Sequence, residues 1–233
     1  MRKYGNDVFS LYGYRGKQTR RTTDSDHLTK KSTGQEPIWK SLASAHTEFR
    51  RFQNGTTGTG LIDASMRELY LTGYTSNRAR QNCASFLSKW LDIDWRLGAE
   101  WYESMLVDYD VANNWGNWQY VAGVGNDPRE NNGRKGGEKA GRRFNPVKQG
   151  YDYDPRGEYI RTWVAELHNI DDSASSMEVL MSPWKVKEKL ARGAGQSGGV
   201  AQGAPQETME KLACIKWVTN PLVRITYKSR RSM

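Results

Sequence analysis

The sequence predicts an all-α fold with long irregular loops, and three observations carry that reading. Apolar residues return at helical spacing in three successive segments. Stretches rich in Gly, Thr, Ser and Asn separate those segments and offer cap residues. Hydrophobic residues make up only 36% of the 233-residue chain, at a mean hydropathy of −0.83, so an ordered middle with polar additions around it is expected.

Residues 16–37, GKQTRRTTDSDHLTKKSTGQEP, show no sustained apolar period and read as an exposed, mobile insertion. A helix is predicted over roughly Ile38 to Gln53, with Trp39, Leu42, Phe49 and Phe52 available for burial. NGTTGTG is a turn whose threonines can cap the next helix, where Ile62, Met66 and Leu69 recur at i, i+4, i+7. TGYTSN breaks that helix, and Ser76 or Asn77 can cap the one carrying Cys83, Phe86, Leu87, Trp90 and Leu91. A third helix, around Ala99 to Val107, is expected to bury Trp101, Met105 and Leu106. An aromatic loop from Asn113 to Tyr120 would close this cluster.

From there to Tyr159 the Gly, Asn and Pro content predicts mostly irregular chain, with residues 131–143 a mobile cationic loop bearing Arg134, Lys135, Lys139, Arg142 and Arg143. EYIRTWVAEL resumes helix with Ile160, Trp163 and Val164 or Leu167 inward, completing an ordered core over residues 38–170. Residues 171–233 add the short helix SPWKVKEKL, a Gly-rich spacer and the extended docking segment NPLVRITY with a basic end.

Several function classes are disfavoured. No apolar run approaches the roughly 20 residues of a membrane span, and MRKYGNDVF lacks a signal core, so a soluble, intracellular protein is expected, in nucleus, mitochondrion or cytoplasm. Cys83 and Cys214 read as reduced core thiols. His27, His46 and His168 are scattered, so no metal site is expected; no phosphate-loop or dinucleotide fingerprint occurs. The net charge of +9 favours polyanionic partners, although such a surplus is also common in proteins that bind none.

One polar constellation remains. Asn77 and Arg80 stand at i, i+3 on a helix start beside Arg78, while Asp108, Asp110 and Asn114 follow the next long helix. Antiparallel packing would bring the groups together, with Arg80 paired to Asp108. Taken alone, the cluster reads as a helix cap plus a structural ion pair. Nine tryptophans in all, among them Trp39, Trp95 and Trp118, add a second theme.

The run from Thr59 to Glu130, TGLIDASMRELYLTGYTSNRARQNCASFLSKWLDIDWRLGAEWYESMLVDYDVANNWGNWQYVAGVGNDPRE, followed by FNPVKQGYDYDPRGEYIRTWVAEL, resembles the flavin-binding helical domain of the photolyase and cryptochrome family. NWGNWQYVAGVGNDPR is most similar to its DASH branch. The likeness covers roughly residues 3–9 and 39–167, with an echo in NPLVRITY; residues 1–15 match the end of an early helix of that domain.

The resemblance implies FAD as cofactor, with Asn77, Arg80, Asp108, Asp110 and Asn114 around the isoalloxazine ring. An Arg–carboxylate pair there would compensate the charge of the reduced ring. Asn114 would face N5, able to accept from its proton but not to supply one. Trp118, Trp95 and Trp39 match the proximal, middle and distal members of an electron-hopping chain, Trp39 by spacing, with core packing as its alternative. Asn77 and Arg78 match positions facing DNA, and Tyr120 an aromatic at the lesion pocket. Single-stranded DNA or RNA is the implied partner of a monomer, because no duplex unstacking cost then arises.

The α/β antenna domain has no counterpart in the sequence, so no antenna pigment is expected on this chain; nor has the family's phosphate-binding turn, unless TTGTG serves, and weak flavin retention is expected of the chain alone, as an incomplete version of a longer DASH-type protein or as a remnant. Two functions stay open. One is a light-driven flavoprotein resembling deoxyribodipyrimidine photo-lyase, a blue-light photoreceptor or a repairer of pyrimidine dimers in single strands. The other is a flavin-free nucleic-acid-binding remnant of the same fold, using Arg78, Arg134, Lys135, Arg142 and Arg143 on phosphates and Tyr120 on a base.

Overall fold

The computed structural model describes residues 9–13, 39–125, 143–194 and 206–227. Every regular element among them is helical, apart from an isolated parallel bridge between Lys40 and Ile93. Residues 16–37 and 131–142, read above as mobile, lie outside the described residues. The chain divides into two compact units, Met1–His46 with Ala84–Arg143, and Thr47–Cys83 with Phe144–Met233.

Helix α1, Leu42–Gln53, breaks its helical geometry at Ala45. Phe49 and Phe52 are buried as expected, but Leu42 is 42% exposed, because it opens the helix ahead of that break. Helix α2, Gly60–Thr72, buries Ile62, Met66 and Leu69 completely. Helix α3, Asn77–Ser85, is capped by Ser76, whose Oγ accepts from the Ala79 N–H at 3.3 Å. It runs on as a π-helical segment, Phe86–Trp90, and Phe86, Leu87 and Leu91 are buried while Trp90 is half-buried.

In the first unit, the Lys40 N–H donates to Asp92 O at 2.7 Å and Lys40 O accepts from the Asp94 N–H at 3.0 Å, fixing the chain just ahead of helix α4, Trp95–Met105. Helix α4 starts four residues earlier than expected, because Asp94 caps it by accepting from the Arg96 N–H. Its buried face is Trp95, Gly98, Ala99 and Tyr102, so Trp101 and Met105 turn out half-buried and only Leu106 of the expected trio is buried. The expected aromatic loop is instead helix α5, Val111–Ala122. Asp110 accepts from the Asn113 N–H at its start, Gly123 ends it in the left-handed region at φ 81°, and the buried Lys89 ammonium donates to Ala122 O.

In the second unit, α2 packs on α6, Pro146–Tyr153, on α7, Glu158–Trp163, and on α8, Ala174–Met181. The sequence reading expected irregular chain at α6. Asn145 caps that helix by accepting from the Val147 and Lys148 N–H groups, and Pro146 suits its first turn. Ile160, Val164 and Leu167 are buried and Trp163 half-buried. Helix α8 and the later α10, Gln206–Cys214, were not anticipated; α9, Val186–Ala194, was. Cys83 is buried, but Cys214 is exposed at the end of α10 rather than in the core. The 221–227 segment docks as expected, the Leu222 N–H donating to Thr57 O at 2.8 Å.

The start of α2 rests on one buried carboxylate rather than on a threonine hydroxyl. Thr59 is the cap residue, but its side chain makes no cap bond. Asp63, fully buried, accepts from the Thr57 N–H and hydroxyl at 2.6 and 2.7 Å and from the Gly58 and Thr59 N–H groups at 2.9 and 3.1 Å. Burial pushes its carboxyl up to about 6, while these bonds and the nearby Arg67 pull the other way.

Candidate functional site

The expected site residues fall in both units. Trp39, Trp95, Asp108, Asp110, Asn114, Trp118 and Tyr120 belong to the first; Asn77, Arg78 and Arg80 belong to the second. Arg80 and Asp108 therefore lie in different units.

Within the first unit, Asn114 and Trp118 stand one helical turn apart on the buried face of α5, at 7% and 2% exposure. NWGN, expected as part of an aromatic loop, is thus part of the helix itself. The Asn114 amide nitrogen donates to Ala99 O at 2.9 Å. Only an –NH2 can donate to a carbonyl, so this bond fixes the amide orientation and leaves Oδ1 as the atom for any further partner. Trp118 meets Tyr102 edge-on, ring centroids 5.3 Å apart at 79°. Trp95 is fully buried and donates its indole N–H to Leu11 O at 2.9 Å; Trp39, half-buried, donates to Ser88 O at 3.1 Å. Asp110 is the α5 cap and Asp108 is exposed, while Tyr120 is half-buried on α5.

In the second unit, Asn77 opens α3 and is exposed. Arg78, also exposed, lies 5.0 Å from the Tyr153 ring and donates to Gln81. Arg80 is half-buried; its Nε donates to Thr75 O at 2.8 Å and its guanidinium carbon stands 5.6 Å from the Tyr74 ring. Sequence reasoning missed the support behind it. The Thr75 hydroxyl and the Tyr159 hydroxyl both donate to Glu68 Oε2 at 2.6 Å, and Arg80 is hydrogen-bonded to the backbone of that same Thr75. Burial, and then the bond to Glu68, push the Tyr159 phenol far above its ordinary range, so it stays a donor. The apolar period of α2 gave no hint that Glu68 serves as this acceptor.

The arrangement has a chemical sense. One helix face presents an oriented amide carbonyl next to a shielded, oxidisable ring. The α3 start presents a guanidinium braced through Thr75 and Glu68. Each belongs to its own unit: the amide carbonyl is an acceptor for an N–H group, and the guanidinium a donor for a carbonyl or carboxylate.

Comparison with known proteins shows the family of the chain. Residues 14–206 match the family described as the FAD binding domain of DNA photolyase. The cryptochrome DASH of Danio rerio is 48% identical over 168 residues, 72% of this chain and 26% of that protein. Among solved structures, the cryptochrome of Synechocystis sp. superposes with a TM-score of 0.58 at 39% identity, over 90% of this chain and 37% of that one. A class III photolyase from Agrobacterium tumefaciens gives 0.54 at 32% identity, over 75% and 33%. The chain thus spans 26% of the length of the Danio relative and about a third of each solved chain. The chain belongs to the photolyase and cryptochrome family, matching it over the FAD-binding domain.

Proposed function

We propose that this chain carries part of the flavin site of a DASH-type cryptochrome and takes part in light-driven electron transfer to FAD. The observation that carries the reading is the pairing of Asn114 and Trp118 on one buried face of α5, with the Asn114 carbonyl oriented by Ala99. When bound, FAD supplies a blue-light-absorbing acceptor and donor of single electrons. The residues present fit it: in the first unit Asn114 Oδ1 would accept from a ring N–H and Asp108 or Asp110 would hold further ring donors, and in the second unit Arg80 would balance ring charge. Trp118, Trp95 and Trp39 would serve in that order as electron donors, Trp118 first. Tyr120 in the first unit, and Asn77 and Arg78 in the second, would each contact a single-stranded nucleic acid, with a pyrimidine dimer as the repair substrate and photoreception as the alternative output. The curated name of the Danio relative, cryptochrome DASH, supports the branch but not the choice between these outputs.

The test is the absorption spectrum of the purified chain after incubation with FAD and gel filtration, followed by blue-light reduction with an external thiol. Weakly retained flavin bands are expected, since the family's phosphate-binding turn has no counterpart in the sequence, and Trp118→Phe should keep what the parent keeps while slowing photoreduction by an order of magnitude or more, because phenylalanine preserves most of the volume but resists oxidation. Equal photoreduction in Trp118→Phe would return the tryptophans to core packing. Absence of flavin bands together with retention of single-stranded DNA would make the chain a flavin-free binder.

A further inference from the structure

Trp115 has no part in the chain just described, yet its surroundings are those of a redox residue. It is 6% exposed, and its ring meets Trp95 edge-on with centroids 5.7 Å apart at 82°. Phe9 covers it from another side, centroids 4.9 Å apart. Its indole N–H donates to Glu103 Oε2 at 3.0 Å. Trp95 and Trp39 give theirs to the backbone carbonyls of Leu11 and Ser88.

That difference in acceptor matters once an electron is gone. An indole that has lost an electron becomes far more acidic at Nε1, comparable to a carboxylic acid. A carboxylate can take that proton; a peptide carbonyl cannot hold it. Trp95 and Trp115, neighbours of similar intrinsic ease of oxidation, are thereby made unequal, and Trp115 becomes the site where a positive vacancy is trapped.

We propose that Trp115 and Glu103 form a side branch of the tryptophan chain that stores the oxidising equivalent as a neutral radical. Trp115 passes one electron to the Trp95 radical cation and so restores Trp95. The Nε1–H bond of Trp115 breaks, its proton goes to Glu103 Oε2, and the products are a neutral indolyl radical and a carboxylic acid. Glu103 is exposed, so water can then carry the proton off. An external thiol returns one electron and one proton to Trp115 and closes the cycle. The branch rests on the flavin reading only for the origin of the vacancy on Trp95.

The trap can be tested without flavin. In the flavin-free chain, a photogenerated ruthenium(III) polypyridyl complex serves as one-electron oxidant, and transient absorption and electron paramagnetic resonance separate the neutral indolyl radical from its protonated cation. The parent should accumulate the neutral form, Trp115→Phe should lose most of that signal, and Glu103→Gln should leave the radical protonated and shorter-lived. The last substitution keeps an acceptor oxygen but offers no site for the proton, and at an exposed position it spares the fold, as circular dichroism would check. Unchanged radical yield, protonation state and lifetime in both variants would overturn the branch. A Trp115 radical in the flavin-free chain, alongside failed photoreduction of the FAD-loaded protein, would overturn the flavin reading alone.

Discussion

The six-membered ring of Trp118 lies directly on the bare Cα of Gly98, so close that a methyl group built there would stand 2.5 Å from Cζ3 and 2.7 Å from the Leu87 side chain. Helices α4 and α5 meet at this point, and the glycine is what lets the indole reach its depth. Gly98→Ala should therefore destabilise the first unit by about 1–3 kcal/mol, overpacking outweighing the ~1 kcal/mol that alanine ordinarily adds to a helix. Thermal melting checks the sign. A melting point at or above the parent's would show that Trp118 shifts freely.

Gly60 makes the same point in the second unit. A Cβ there would stand 3.1 Å from the Leu180 carbonyl carbon, and nearer still to its oxygen, which as backbone cannot swing away. Gly60→Ala should cost more than Gly98→Ala, and urea unfolding of the two variants side by side measures the order.

Asn114→Ala would strip the Ala99 carbonyl, which lies inside helix α4, of its side-chain donor. A loss of about 0.5–1.5 kcal/mol is expected from that one hydrogen bond, together with weaker FAD retention. If stability falls while FAD retention stays at the parent's level, Asn114 is a strut and not a ligand.

Asp63 sets a pH dependence of unusual sign. Its carboxyl is pushed up by burial to about 6 in the folded state, against 3.8 for an ordinary aspartate. The folded chain thus holds a proton that the unfolded chain releases over this window. The stability contributed is present below about pH 4 and is lost as pH rises through about 6, by at most ~3 kcal/mol at ~1.4 kcal/mol per unit. Glu166 acts oppositely: burial alone would raise it, but the two bonds from Arg67 outweigh that and lower it, so its share is lost on acidification. Subtracting the urea-midpoint profile of Asp63→Asn from the parent's isolates the aspartate. A flat difference between pH 4 and 7 would contradict the assignment.

The Arg67–Glu166 pair is itself measurable. Both guanidinium nitrogens bond the carboxylate, at 2.6 and 3.1 Å, Nε holds Gly55 O, and the cation lies 5.4 Å from the Trp217 ring. With Glu166 side-chain exposure near 30%, solvent screens part of the attraction, and a double-mutant cycle of Arg67→Met with Glu166→Gln should give about 1 kcal/mol of coupling.

How much of this was legible beforehand differs from helix to helix. Ile62, Met66 and Leu69 announced α2 because a single apolar face is written at one period. Helix α5 was hidden, since Asn, Gly and Trp give little intrinsic helix preference. It is held instead by the Asp110 cap, the Gly123 stop and the seating of Trp118 on Gly98, of which only the caps are local. Helix α6 was hidden for a similar reason, its Asn145-Pro146 start reading as loop. Arg80 and Asn114 stood out as a polar constellation by their spacing, while the roles proposed for them and for Trp118 come from family likeness. Asp63 could not be found at all: a lone acid in an apolar period looks like the wet side of a helix until the loop of residues 57–59 is seen folded around it.

Neither unit is written in the sequence as one continuous stretch, and this bears on how the protein is made. Helix α2 leaves the ribosome before α7, against which it packs and which follows roughly 90 residues later, several seconds at ~5–20 residues per second. The docking segment that bonds Thr57 through Leu222 comes later still. Throughout that interval Ile62, Met66 and Leu69 have no permanent cover in their own unit. A nascent chain of this architecture is a natural client for a holding chaperone, and its yield in a cell should depend on translation speed between residues 73 and 158 more than on the stability of the finished fold.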